Sequence, residues 1–137
     1  MNGYQIAFER GFMVCYPDAL GTDKGIVFAF YRRDDRNRWD AYLDIDGEVQ
    51  ECGLIAPPCL YLPGGSIGRA WHGQRLEETL GFALDEQAEV FDGDCHREPD
   101  GWEIADLYGR ILVLLERNNA PAEWVWTGMM DGTEKPT

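Results

Sequence analysis

Apolar and polar positions alternate along Tyr4-Gln5-Ile6-Ala7-Phe8, break at Glu9-Arg10-Gly11, and resume as an apolar run from Phe12 to Tyr16. A short alternating stretch, a turn and a second short run predict a β-hairpin. After a loop rich in Asp and Gly (Pro17 to Gly25), the segment Ile26-Val27-Phe28-Ala29-Phe30-Tyr31 is β-branched and aromatic and too short for a helix. It predicts a buried strand. A charged connector, Arg32 to Arg38, leads to a returning strand over Trp39 to Asp44, closed by Asp46-Gly47. Pro57-Pro58 and Pro63-Gly64-Gly65 mark the one clear linker region. Beyond it the spacing turns helical. Ile67, Ala70 and Trp71 recur at intervals of three and four with Ser66 placed to cap, and Gln74 to Leu80 forms a second turn stopped by Gly81. Strands then resume at Ala88 to Phe91, Arg110 to Leu115 and Glu123 to Trp126, with a polar turn between the first two. The tail from Asp131 is polar and is expected to fray.

This pattern predicts a mainly β fold, a β-dominated α+β domain with two related antiparallel hairpin units and a short helix between them. The two β portions match. Phe8-Glu9-Arg10-Gly11 parallels Phe91-Asp92-Gly93, and Ile26 precedes Trp39 by thirteen positions, as Ile111 precedes Trp124. Polar turns, Arg32-Arg33-Asp34 and Arg117-Asn118-Asn119, sit between them. Strand, turn and Trp in fixed register argue for an internal repeat. The expected organisation is a single domain over residues 1–130, with a half repeat at 4–48, a linker at 49–59, a full repeat at 60–126, and a flexible tail at 131–137.

A chain of 137 residues suits one compact domain. Charge changes the picture more than size does. Twelve basic residues face 25 acidic ones, a net charge of −13. Such a surface repels phosphate backbones and anionic lipid, which argues against nucleic-acid and membrane-surface partners and leaves room for a basic protein. No stretch approaches the roughly 18 apolar residues of a membrane span. The first residues carry no basic start followed by an apolar run, so the expected location is cytoplasmic for the chain as given, and the cell envelope for a domain excised from a secreted protein. Cys15, Cys52, Cys59 and Cys95 allow three disulfide pairings but form no CxxC, and buried thiols are the preferred reading.

Several arrangements invite a chemical reading. Gly64-Gly65-Ser66-Ile67-Gly68 has the G-x-S-x-G spacing of a nucleophile elbow, yet the chain is too short for the usual parallel sheet and holds only His72 and His96 as bases. A helix entry is the simpler account. Asp92 to Glu103 places acids at the first, third and twelfth positions of a calcium-loop template, but Arg97 stands where the template needs Gly. A solvated hairpin loop is preferred. Cys95 and His96 are adjacent, which on a strand sends them to opposite faces, so they do not form a conventional zinc pair. No metal or other cofactor is expected. Nine acids, Asp85, Glu86, Glu89, Asp92, Asp94, Glu98, Asp100, Glu103 and Asp106, crowd one stretch against a single base, Arg97. They are candidates for docking a basic partner. Trp124 and Trp126 lie two apart, on one face of a strand, and are candidates for stacking on a sugar.

The run Leu60-Tyr61-Leu62-Pro63-Gly64-Gly65-Ser66-Ile67-Gly68-Arg69-Ala70-Trp71, then Leu80-Gly81-Phe82-Ala83, Phe91-Asp92-Gly93 and an apolar strand ending near Trp124, resembles an LGFP-type repeat module of bacterial cell-envelope proteins. In that pattern a helix bearing G-x-x-W leads to L-G-[WF]-[AP], an aromatic-acid-Gly turn and a closing hairpin. Phe8 to Met13, Ile26 to Tyr31 and Trp39 to Tyr42 resemble the second part of such a module. Ala83 stands where the name-giving proline would be, and the first part lacks the helix and its L-G-F. The resemblance implies cell-envelope association, glycan contact and no transferable catalytic residue. The expected function is therefore a non-enzymatic binding module whose partner is a protein with a basic surface or a cell-wall glycan. The alternative is an acidic intracellular inhibitor or immunity-type protein that neutralises a basic partner. An incomplete first module also leaves a place for a second copy of the chain, making a homo-oligomer.

Overall fold

The computed structural model describes residues 1–44, 53–117 and 120–128. The N-terminal apolar runs form an antiparallel meander of four strands, β1 (Asn2–Phe8), β2 (Gly11–Tyr16), β3 (Gly25–Arg33) and β4 (Arg36–Asp44). The β3–β4 turn is Asp34-Asp35, with φ of 54° and 60°. Two left-handed residues in a two-residue loop match the twist of a hairpin, and Asp tolerates that conformation better than most side chains. A helix α1 (Gly65–Gly73) and a single turn α2 (Glu77–Leu80) follow, then β5 (Glu89–Asp92). A second meander comprises β6 (Cys95–Glu98), β7 (Gly101–Ala105), β8 (Ile111–Arg117) and β9 (Ala120–Gly128).

All nine strands belong to one sheet, in the order β5-β1-β2-β3-β4-β9-β8-β7-β6. The meanders join where Arg38 lies opposite Glu123. The two ends of the sheet, β5 and β6, are consecutive in the chain. The Gly93 N–H donates to the Met1 carbonyl and the Ala105 N–H to the Asp94 carbonyl, so segment 89–98 bridges from β1 to β7 and closes the sheet into a ring.

Alternation along β2 and β3 divides their side chains between two cores. Val14, Tyr16, Ile26, Phe28 and Phe30 point inward and pack with Trp39 against Cys95, Trp102, Ile104, Leu112, Leu114 and Trp124 of the second meander. Phe12 sits edge-on to Trp124 and stacked on Phe30. The opposite face, with Ile6, Phe8, Met13, Cys15, Val27 and Ala29, is covered by α1 and α2 through Ile67, Ala70, Trp71, Leu76 and Leu80. Strands buried on both faces read as continuous apolar runs, which is why Phe12 to Tyr16 and Ile26 to Tyr31 lack polar alternation.

The mainly β expectation holds, with hairpins on either side of a short helix. Three particulars differ. Segment 95–105, expected as a polar turn, is the β6–β7 hairpin. Gly93, paired by sequence with Gly11, lies between β5 and β6 rather than after a turn. Gly101 opens β7 after a two-residue turn opposite Glu98, as Gly11 opens β2 opposite Phe8. Ser66 does not cap α1. The N-cap is Gly64, and Gly65 takes a left-handed φ of 62° at the entry. The linker expected at 49–59 lies partly, and the tail at 131–137 wholly, outside the described residues.

Candidate functional site

The runs that stand out in the sequence meet in one place. In the turn after β1, the Glu9 N–H donates to the Phe82 carbonyl and its carboxylate accepts from the Phe82 N–H at 2.9 Å. Arg10 donates its backbone N–H to Leu80 and its guanidinium to the carbonyls of Glu77, Glu78 and Thr79. The arginine thereby holds α2 by its backbone carbonyls, including those of Glu78 and Thr79 in the body of the short helix. The Trp71 indole donates to the Gly81 carbonyl at 3.0 Å, with Phe8 stacked on its ring and Phe82 tilted against it. Ala83 exchanges both backbone hydrogen bonds with Tyr61 at 3.0 Å. Phe8-Glu9-Arg10-Gly11, Trp71 and Leu80-Gly81-Phe82-Ala83 are therefore a clasp that pins the helices to the sheet.

Beside the clasp a polar cluster fastens the start of α1. Ser66 Oγ donates to Asp44 Oδ2 at 2.6 Å and accepts from Arg69 Nη2 at 2.9 Å, while the Arg69 guanidinium holds Asp44 Oδ1 at 2.8 and 3.1 Å. Farther along the same face of β4, Asp40 accepts from the hydroxyls of Tyr31 and Tyr42. Cys15 lies next to Ser66. Burial first, then the Asp44 charge, pushes its thiol up to about 12, against weaker lowering by Ser66 and Arg69. It is a neutral thiol at physiological pH rather than a nucleophile. His72 sits six positions beyond Ser66, roughly 9 Å along the helix, and packs edge-on to Trp71.

The nine acids do not share one surface. Asp85, Glu86, Glu89, Asp92 and Asp94 are exposed along the approach to β5 and the ring-closing seam, together with the apolar side chains of Leu84 (46% exposed) and Val90 (60% exposed). Asp92 takes up the N-terminal ammonium at 3.1 Å. Glu98 and Asp100 lie at the far end of β6 and in the turn beyond it, Glu98 about 13 Å from Asp94 at the rise of an extended strand. Glu103 is half-buried on β7, opposite His96. Asp106 leaves the docking set altogether. Its side chain is fully buried, accepting from the N–H groups of Tyr108 and Arg110 and from the Arg110 guanidinium at 2.8 Å. It shapes the β7–β8 turn.

Two adjoining hollows of about 330 and 320 Å³ lie beside this ridge and share Tyr4, Gly64, Gly65, Ile67 and Ala88. Glu86 lines the second. Pattern analysis missed this groove, since it is assembled from β1, the start of α1 and the approach to β5. The polar cluster left one trace in the sequence: Asp40, Tyr42 and Asp44 alternate on the strand that predicts burial for Trp39.

The sugar-stacking expectation fails for Trp124, which is buried and packed edge-on to Phe12 and Phe30. The Trp126 side chain lies outside the described residues. Cys95 is buried on the inner face, its thiol pushed up to about 12 by desolvation, while His96 is exposed. Cys59 is exposed, and Cys52 lies outside the described residues. Among the described residues no group of three or more His, Cys, Asp or Glu is placed to hold a metal ion, and no helix is long and apolar enough to cross a membrane. No protein-family model, curated protein or solved structure matches the chain.

Proposed function

We propose that this chain is a non-enzymatic binding module, in the manner of the LGFP-type repeats its motifs resemble, and that its ridge from Leu84 to Asp94 docks a basic surface of a partner protein. The observation that carries this reading is the composition of the ridge. Exposed carboxylates at 85, 86, 89, 92 and 94 lie on the same short segment as the two exposed apolar side chains Leu84 and Val90. Apolar anchors inside a charged rim are the usual anatomy of an interface, and the rim charge steers the encounter and selects the partner. A protein partner is favoured over a glycan because Trp39, Trp71, Trp102 and Trp124 are spent on packing. A non-catalytic role is favoured by the Ser66 hydroxyl, held between Asp44 and Arg69, and by the neutral Cys15 thiol.

The test is titration calorimetry with an oligolysine peptide at low and at physiological salt. Wild-type protein is expected to bind and to weaken with salt. The variant Asp85→Asn/Glu89→Gln/Asp94→Asn should lose at least about tenfold in affinity, roughly 1.4 kcal/mol. Asp18→Asn/Asp23→Asn/Asp34→Asn removes the same charge from exposed loops elsewhere and should change affinity far less. Equal losses in the two variants, or no binding by the wild type, would overturn the reading.

A further inference from the structure

We infer that the groove beside the ridge receives one long basic side chain, lysine or arginine, from the docked partner. This rests on the ridge reading above and adds the pocket in which the interaction is anchored. The two hollows share Tyr4, Gly64, Gly65, Ile67 and Ala88 and form one trough, with Glu86 and Gln87 in the lining of the second. Each hollow, at about 330 and 320 Å³, sits at the lower end of ligand-pocket volumes, roughly 300–1,000 Å³, and has room for a long side chain.

Its chemistry is one-sided. Tyr4, Ile67 and Ala88 offer apolar surface along the trough, and the single ionised group in its lining is the Glu86 carboxylate. No basic side chain lines either hollow. Arg69, the cation on α1, is already bound to Asp44. A trough with apolar side chains and a single carboxylate in its lining is complementary to an aliphatic stem that ends in a cation, since such a stem buries its methylenes while the charged head stays near water and its partner. Asp85 and Glu89 flank Glu86 in the chain and raise the local negative potential, favouring a cationic occupant. The wall toward α1 is open: a Cβ placed on Gly64 or Gly65 meets nothing within 4 Å. Gly64 has an ordinary extended backbone, φ −115°, so it accepts a larger side chain without strain and gives a means of filling the trough.

Anisotropy of a labelled oligolysine on the intact chain provides the test. Gly64→Leu and Ala88→Leu add bulk at two residues that line both hollows, and each is expected to weaken binding about tenfold, whereas Gly64→Ala should bind within about twofold of wild type. Glu86→Gln, an exposed position that leaves the fold untouched, should weaken binding by a similar factor and reduce its dependence on salt. Wild-type affinity in Gly64→Leu, Ala88→Leu and Glu86→Gln, together with loss of binding in Asp85→Asn/Glu89→Gln/Asp94→Asn, overturns the groove while the ridge stands. Absence of binding by the wild type overturns both.

Discussion

Gly11 and Gly101 each press against the backbone of a neighbouring strand. A Cβ at Gly11 would lie 2.0 Å from the Phe30 carbonyl oxygen, and one at Gly101 would lie 1.6 Å from that of Leu114. Gly101 also holds a φ of 157°, at the edge of the region that favours glycine. Alanine at either site forces the strands apart, so Gly11→Ala and Gly101→Ala are each expected to cost roughly 2–4 kcal/mol. The urea midpoint should fall with little change in slope. Gly64→Ala, facing open space, is the control and should leave the midpoint in place. Spacing alone paired Gly11 with Gly93, because close approach between strands is invisible until the register is known. Ala83 is the second informative residue. It stands where the resembled pattern has proline, and its N–H donates to Tyr61. Ala83→Pro removes that donor at a buried position and should destabilise the clasp by roughly 1–3 kcal/mol, read from the same midpoint. Asp106 shows the opposite limit. Its charge was plain in the sequence, and only the fold reveals that the charge is consumed by the turn at Tyr108 and Arg110.

At the scale of elements, legibility followed burial. β2 and β3 were plain because both faces are covered, leaving apolar runs that no helix or loop would carry. α2 and its stop at Gly81 were also plain, since a left-handed C-terminal glycine has a chemical signature. β6 and β7 were hidden. Cys95, Arg97, Trp102 and Ile104 face the inner core, but the outward positions His96, Glu98 and Glu103 made the segment look like a charged turn. Arg97 disguises an inward position further: its guanidinium lies over the Trp102 ring, and it pairs with Glu116 at the rim. Acid patterning picked out a run of carboxylates, and those at 85, 86, 89, 92 and 94 are exposed. It could not divide the seam acids from those at the far end of β6, because the division depends on β5 pairing with β1 and β6 with β7.

Over the whole molecule, two cores and a ring of strands carry a strongly negative surface, and acidity and stability are set in different places. Buried thiols link stability to alkaline pH. The Cys15 and Cys95 thiols are pushed up from about 9 to about 12, burial being the first cause for each. The folded chain then holds protons that the unfolded chain has released. Their stabilisation is complete below about pH 9 and is lost progressively as pH rises from about 9 to about 12. Tyr31, raised to about 12 by burial and by Asp40, steepens the loss above pH 10. Urea midpoints measured across this range should fall steeply for the wild type, and Cys15→Ala/Cys95→Ala should start lower but fall less.

The central claim concerns the ridge, and it is tested most directly by amide shift mapping of the isotope-labelled chain during titration with oligolysine. The predicted result is a set of perturbed amides confined to residues 84–94 and to the facing groove wall at Gly64, Gly65 and Ile67, with Asp18, Asp23, Asp34 and Asp35 unmoved. Perturbations spread evenly over every acidic loop, or centred at the far end of β6 around Asp100, would contradict it.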